Sequence, residues 1–448
     1  MPENRQLSSK LLSEFKENFD MDPRCQVLKH AIIKNGIQNV SLNNDSIISM
    51  QYAFSDEIKT GKITSQQQSG RCWLFAGLNM FRQKVARTLK IKDFELSTNY
   101  PLFWDKLEKS NYFLEKVIET AQEDMYSRTF MWLLKNPVQD GGQWDMFANL
   151  VEKYGIVPKV VMPETFHSSN TKIMQLLLTS KLREGAWTLR TLFQQGKQPE
   201  LLREKKGEIM EDIYRILVLF LGQPPLSFDY EYRDDEGNFN EDNGLTPIVF
   251  YQKYVGYDLH RLVSVINAPS SRKPFNQTYT VDSLGNLIEG KPIIYLNIDI
   301  DTMKQLVLKQ LREGIPVWFG CDVGKMVNRE TGIMDTDIYL YEKILGVKFG
   351  LSKGGRLDYG ESQLTHAMVF TGVNVNKGVP NRWKVENSWG EQAGNQGFFV
   401  MSDSWFDEFN YQVVIFKKFL PDNLLAVLKQ DPVVLPPWDP MGALALMQ

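Results

Sequence analysis

A cysteine at the junction of a polar loop and an apolar-striped helix constrains this chain more than any other feature. The stretch Gln66-Gln67-Gln68-Ser69-Gly70-Arg71-Cys72-Trp73-Leu74-Phe75-Ala76 closes a turn-prone loop and opens a helix. Beyond Cys72, apolar residues recur at Leu74, Leu78, Phe81, Val85 and Leu89, steps of three and four that share one helix face. Gly70 supplies the conformational freedom for a tight turn into that helix. Cys72 is therefore expected where unpaired backbone N–H groups and the positive end of the helix dipole converge. That environment favours thiolate, the nucleophilic form. The competing reading is a small buried hydrophobe, the role of most free cysteines. A nucleophile needs a base to take its proton and a third group to orient that base, so the two readings part on whether the chain supplies them.

The chain holds four histidines. His30, His167 and His260 sit in polar or mixed contexts without an orienting neighbour. His366 lies in the apolar, β-rich run Leu364-Thr365-His366-Ala367-Met368-Val369-Phe370-Thr371-Gly372-Val373, as either a satisfied core residue or a base at a strand mouth. Twenty-one residues on, Val385-Glu386-Asn387-Ser388-Trp389-Gly390 carries a strand into a polar turn. Asn387 can accept a hydrogen bond from one imidazole nitrogen and so fix the tautomer that turns the other toward sulfur.

Taken together, Gln66 six residues ahead of Cys72-Trp73, then Thr365-His366-Ala367, then Asn387-Ser388-Trp389-Gly390, resemble the papain-like cysteine peptidases. The wording from Ser69 to Ala76 and the tail Leu435-Pro436-Pro437-Trp438-Asp439-Pro440-Met441-Gly442-Ala443-Leu444-Ala445 resemble the bleomycin hydrolase and aminopeptidase C branch. The resemblance implies an α+β papain-like fold, with a helical half and an antiparallel β half flanking a cleft. It also implies peptide substrates and a thioester mechanism, with no metal or cofactor. Cys72 would attack the scissile carbonyl; His366 would protonate the leaving amine and then activate water. Gln66, with the backbone N–H of Cys72, would stabilise the oxyanion by on the order of 3 kcal/mol per donor. Gln67 and Gln68 read as ordinary loop polar residues. Asn387 would orient His366, and Trp389 would shield that hydrogen bond, although a tryptophan at such a turn equally suits core packing. Gly141 and Gly142, in Gln139-Asp140-Gly141-Gly142-Gln143-Trp144, would offer backbone hydrogen bonds to an extended substrate; without the resemblance they read as a helix-entry turn.

Hydrophobic residues at 43% and charged residues at 23% suit a globular chain with a sizeable core. A net charge of −3 lacks the basic stripe that nucleic-acid binding calls for. The first twenty residues alternate charge with leucine, unlike a signal peptide, and the longest apolar run, Ile216 to Leu221, is too short to span a bilayer. Cys25, Cys72 and Cys321 suit a reducing compartment. Secreted papain relatives carry a disulfide-bonded cysteine where this chain has Ser69, so the cytosol is the expected setting.

The chain divides into five stretches. Residues 1–60 read as a mostly helical extension packed on the body, with Leu7, Leu11, Leu12 and Phe15 as one stripe and a short strand from Ile47 to Tyr52 after a turn at Asn43-Asn44-Asp45. Residues 61–165 form the helical half, with a loop at Leu96–Pro101 ahead of a helix through Phe103, Leu107 and Tyr112. Roughly 290 residues separate Cys72 from His366, about twice the papain-like spacing of roughly 130–150, and the excess is assigned to an insertion over 166–300 that covers the cleft or makes subunit contacts. Residues 301–420 form the β half, entered by a helix that Thr302 and Gln305 cap, with Cys321 as a core residue. Residues 421–448 form an arm stiffened and extended by its prolines.

The resemblance implies that this arm lies along the non-primed side of its own cleft, with the carboxylate of Gln448 capturing the substrate ammonium, and that six chains assemble into a homohexameric ring. Met447 and Gln448 run slightly past the expected end, which implies self-trimming or a different fold of the arm; without the resemblance, a frayed terminus is the default. Three functions follow: a cytosolic cysteine aminopeptidase with bleomycin-hydrolase-like amide hydrolysis, another Cys-dependent amidase or acyltransferase, or a non-enzymatic ring scaffold. An open cleft would make the first an endopeptidase.

Overall fold

The helix foreseen after Gly70 runs Cys72–Leu89 and is buried on nearly every side, where the periodicity had marked a single face. The reason is its position. Strands His366–Asn376 and Val317–Cys321 pack on one flank and helix Trp144–Tyr154 on the other, so even its polar positions face protein. Asn79 donates to Thr64 Oγ1 at 3.0 Å, and Arg82 meets Glu386 at 2.7 Å with both side chains buried. At Gly77 a Cβ would fall 2.5 Å from the ring of Phe147, so only glycine lets these helices approach so closely.

The computed structural model of the protein describes residues 6–446. Its helical half adds Asn99–Glu119 and Arg128–Lys135. The Asn99 helix starts inside the expected Leu96–Pro101 loop, because proline is tolerated in a first helical turn. Helices Lys172–Gln194 and Pro199–Leu221 pack on it, followed by the hairpin Phe228–Arg233 and Phe239–Leu245 around the Asp235-Glu236-Gly237 turn.

A twelve-stranded sheet forms the other half. Its order is Val433–Leu435, Gln277–Val281, Tyr295–Asn297, Leu262–Ile266, Asn410–Phe416, Val317–Cys321, His366–Asn376, Val379–Glu386, Phe398–Ser402, Ile333–Met334 and Val327–Asn328, with Asp56–Glu57 added beside the His366 strand. The sheet is mixed, not wholly antiparallel. Leu262–Ile266 with Tyr295–Asn297, Phe398–Ser402 with Ile333–Met334, and Val433–Leu435 with Gln277–Val281 are parallel pairs, each joined by the long connection that parallel pairing requires. The 166–300 stretch thus splits: its helices and hairpin stand outside the sheet, while its last third supplies three strands to it.

Three local expectations are corrected. Ile47 to Tyr52 is not a strand; helix Asn44–Ser49 occupies its first half, capped by the Asn43 side chain, which accepts from the Asp45 N–H. The stripe near the N-terminus is helical, but Ser9–Asp20 and Pro23–Asn35 bury no residue, and Leu7, Leu12 and Phe15 face outward. The extension touches the body further on, where Ser46 donates to Asp335 at 2.5 Å. The helix Ile300–Arg312 is capped by Asp299, not Thr302: Asp299 accepts from the Thr302 N–H at 2.8 Å.

The arm extends only in part. After helix Asp422–Val427 and strand Val433–Leu435 it winds into a 3₁₀ turn, Pro440–Leu446, that buries Met441 to Ala445. Asp439 drives the change, accepting from the Met441 N–H at 2.9 Å and pairing with Lys273 at 2.9 Å, while Pro440 has the fixed φ that a first helical position needs. Among the described residues no helix is long and apolar enough to cross a membrane.

Candidate active site

Cys72 is the first residue of its helix, with Arg71 as the cap. The left-handed residue in the approach is Gln67, at φ 50°, and Gly70 is not in that region. Gly70 contributes differently: its N–H donates to Asp140 Oδ2 at 3.1 Å. The sulfur is buried, and burial pushes the thiol up to about 11. The N–H groups of Ala367, Trp73 and Cys72 itself all pull it back down. The helix-end donors are therefore present as expected, but they do not outweigh desolvation, and a lone thiolate is disfavoured.

His366 opens its strand, in register with Cys321 of Val317–Cys321. Its Nε2 lies 2.9 Å from Asn387 Oδ1. Since Asn387 Oδ1 can only accept, Nε2 carries hydrogen and Nδ1 is the nitrogen left for sulfur. Asn387 follows directly on strand Val379–Glu386, so strand pairing sets both members of this bond. Burial lowers His366 to about 4; the Asn387 bond raises it in part, and Arg329 lowers it again. Burial thus opposes each charge when formed singly. A proton moved from sulfur to imidazole leaves no net charge, so burial opposes that transfer less than it opposes either charge alone.

Trp389 lies against His366, with ring centroids 4.9 Å apart at 34°. Its ring also meets Phe399 at 5.7 Å and the Arg329 guanidinium at 4.7 Å. Gln66 ties the cysteine loop to the asparagine turn: its N–H donates to the Ser388 carbonyl at 2.8 Å, and Ser388 Oγ donates to Gln66 Oε1 at 2.7 Å. These bonds orient the amide so that Nε2 faces the loop, where one of its two hydrogens meets the Ser69 carbonyl at 2.7 Å.

Gly141 and Gly142 are buried beside this centre. The Gly141 carbonyl accepts from Lys109 Nζ at 2.6 Å. A Cβ on Gly142 would lie 2.4 Å from the Trp73 ring, so close packing alone requires glycine there. Met447 and Gln448 lie outside the described residues. His260 sits on the surface near Glu152, and His167 packs on Phe220.

A buried charge cluster behind Cys72 escaped the sequence reading. Asp105, Lys106, Lys109 and Asp140 are all buried. Lys106 pairs with Asp140 at 2.6 Å, and Lys109 with Asp105 at 2.7 Å. Charges at that spacing on a helix ordinarily mark a solvated face; the flanking Phe103, Phe113 and Leu114 were the available signal.

A model of the Peptidase C1-like family matches residues 6–442. Aminopeptidase C of Listeria monocytogenes serovar 1/2a is 51% identical over 441 residues, covering 98% of this chain and 99% of the relative. Aminopeptidase G of Lactobacillus delbrueckii subsp. lactis is 41% identical over 439 residues, 98% of this chain and all of its own. The crystal structure of PepW from Lactobacillus rhamnosis HN001 aligns with a TM-score of 0.97 at 50% identity, covering 98% and 99% of the two chains. Matched over nearly its whole length, with a cysteine that opens a helix and a histidine that opens a strand packed on that helix, this chain belongs to the Peptidase C1-like family and is a papain-like cysteine peptidase.

Proposed function

We propose that the protein is a cytosolic aminopeptidase that removes N-terminal residues from peptides through a thioester on Cys72. As the sulfur–carbon bond forms, the thiol proton passes to His366 Nδ1, which keeps the buried pair net neutral. Gln66 Nε2 and the Cys72 N–H receive the developing oxyanion. His366 then gives its proton to the leaving amine as the C–N bond breaks, and in the second half takes a proton from the attacking water. Asn387 holds the Nε2 hydrogen throughout, and Trp389 keeps water from that bond. Gly141 and Gly142 bind the substrate backbone. Hydrolysis of non-peptide amides, as in bleomycin hydrolase, needs no further group.

The observation that carries this reading is the seat of the arm. Ala445 and Leu446 line a cavity of about 50 Å³ with Lys109 and Gln139, next in space to the Gly141 carbonyl that Lys109 holds. An arm seated near Gly141 supports a cleft with room for a free N-terminus and little for further residues. Aminopeptidase C relatives support the same reading. Free Cys25, Cys72 and Cys321 support a reducing compartment. Outward-facing Leu12, Phe15 and Val27 support self-association, as a homohexamer, which light scattering tests directly.

Hydrolysis of aminoacyl-coumarins with free and acetylated α-amino groups, before and after removal of the last four residues, tests the function. Cleavage of free amines only, extending to blocked ones after truncation, is expected. Equal cleavage of blocked substrates by the intact chain would make it an endopeptidase. No turnover with Cys72 still alkylated by iodoacetamide would point to an amidase or acyltransferase.

A further inference from the structure

Asp140 touches both flanks of the cysteine. Its carboxylate accepts the Gly70 N–H, two residues before Cys72, at 3.1 Å. Its backbone carbonyl accepts the indole N–H of Trp73, one residue after Cys72, at 2.8 Å. The side chain is fully buried, as is its counterion Lys106 at 2.6 Å. Thr171, at the start of helix Lys172–Gln194, donates its hydroxyl to the same oxygen as Gly70. Lys106 also donates to the Val138 and Gln139 carbonyls at 3.2 and 2.9 Å, and Lys109 to the Gln139 and Gly141 carbonyls at 2.9 and 2.6 Å. The 138–142 loop is thus pinned at three carbonyls by four hydrogen bonds from lysines of helix Asn99–Glu119, and Asp140 transfers that rigidity to the nucleophile.

We propose that Asp140 is a positioning residue for Cys72, fixing the sulfur at the helix mouth by gripping Gly70 and Trp73 at once. Burial alone would protonate its carboxyl, but Lys106, Thr171 and the Gly70 N–H hold it ionised. Other charged or titratable groups lie on every side: Arg71, paired with Glu164, precedes the cysteine, Lys109 stands over the Trp73 ring and pairs with Asp105, and Cys321 acts on Cys72 from the sheet. The role rests on reading Cys72 as the nucleophile.

Asp140→Ala removes the carboxylate grip. It lowers kcat at least about tenfold with KM within about threefold, the signature of a misplaced nucleophile. Asp140→Asn keeps an acceptor for Gly70 and restores most of kcat. Because Asp140→Ala leaves Lys106 buried and unpaired, Asp140→Ala/Lys106→Met is the companion variant should the single one fail to fold, and the same kcat loss is expected. A second readout separates positioning from mere support. In a His366→Ala, Cys25→Ser, Cys321→Ser background, where Cys72 is the remaining thiol, Asp140→Ala changes the iodoacetamide alkylation rate of Cys72 at least about threefold, while Asp140→Asn, which keeps the acceptor for Gly70, leaves it within about twofold. That readout needs no peptidase turnover, so it stands even if the aminopeptidase reading fails. A folded alanine variant with kcat within twofold of the parent, or an alkylation rate that Asp140→Ala leaves unchanged, overturns the proposal.

Discussion

The two sides of the cleft hold their chemistry by different physical means. On the helical side, full charges are paired near Cys72: buried Lys106 with Asp140, buried Lys109 with Asp105, and buried Arg71 with the partly exposed Glu164 at 2.9 Å. On the sheet side, His366 and Asn387 are placed by strand register and one hydrogen bond, over stacked rings such as Phe319 on Phe370 at 3.8 Å. The difference follows from backbone geometry. A strand ladder fixes its own side chains, whereas the loops before Cys72 and Gly141 have no ladder and need external partners for their carbonyls and N–H groups. Charged hydrogen bonds are the stronger kind, and they appear where regular structure is absent.

The largest effect comes from the one atom that both sides serve. Cys72→Ala should cut turnover by more than about 10⁴-fold while circular dichroism and assembly stay unchanged; residual activity above that level would mean another nucleophile. Next is the tie between the sides, the buried Arg82–Glu386 pair at 2.7 Å. Arg82→Met should cost roughly 3–5 kcal/mol in denaturant unfolding, because Glu386 is left buried without a partner, and Arg82→Met/Glu386→Leu should recover much of it. If the single variant costs under about 1 kcal/mol, the sides are not coupled there.

On the sheet side, Asn387→Ala should lower kcat roughly 10²-fold, since the imidazole loses its only orienting bond; a loss under about fivefold would show that register alone suffices. In parallel, kcat/KM of the parent should stay flat from pH 5 to 9, with its acid limb near the lowered value of about 4 for His366. The sign is fixed by burial, which favours the state with one shared proton over the doubly protonated one. An acid limb near 6.5 would contradict this. Smallest is Trp389→Ala, expected to reduce kcat by about fivefold, with the pH profile unchanged.

The sequence disclosed the sheet-side groups better than their supports. His366 stands in an apolar run and Asn387 at a strand end, positions whose chemistry is local and readable. Gln66 and Trp389 likewise come near them in the folded chain, and the Cys72 thiol meets the backbone of Ala367, next to His366. Asp140 and its lysines were illegible, because charge in a sequence reads as exposure until the fold shows what surrounds it. Strands Leu262–Ile266, Gln277–Val281 and Tyr295–Asn297 were hidden for another reason: short apolar runs do not declare their pairing partners. The N-terminal stripe was correctly helical, yet amphipathicity says only that a face wants cover, and nothing among the described residues buries Leu7, Leu12 or Phe15.

The two hydrogen bonds joining Gln66 to Ser388 span 322 residues. A ribosome adding roughly 5–20 residues per second needs about 15–60 s to pass from one to the other. For most of that interval the nascent chain carries Cys72 without His366 or Asn387, and through all of it without the Ser388 tie. The nucleophile is therefore made well before its base and the far wall of the cleft.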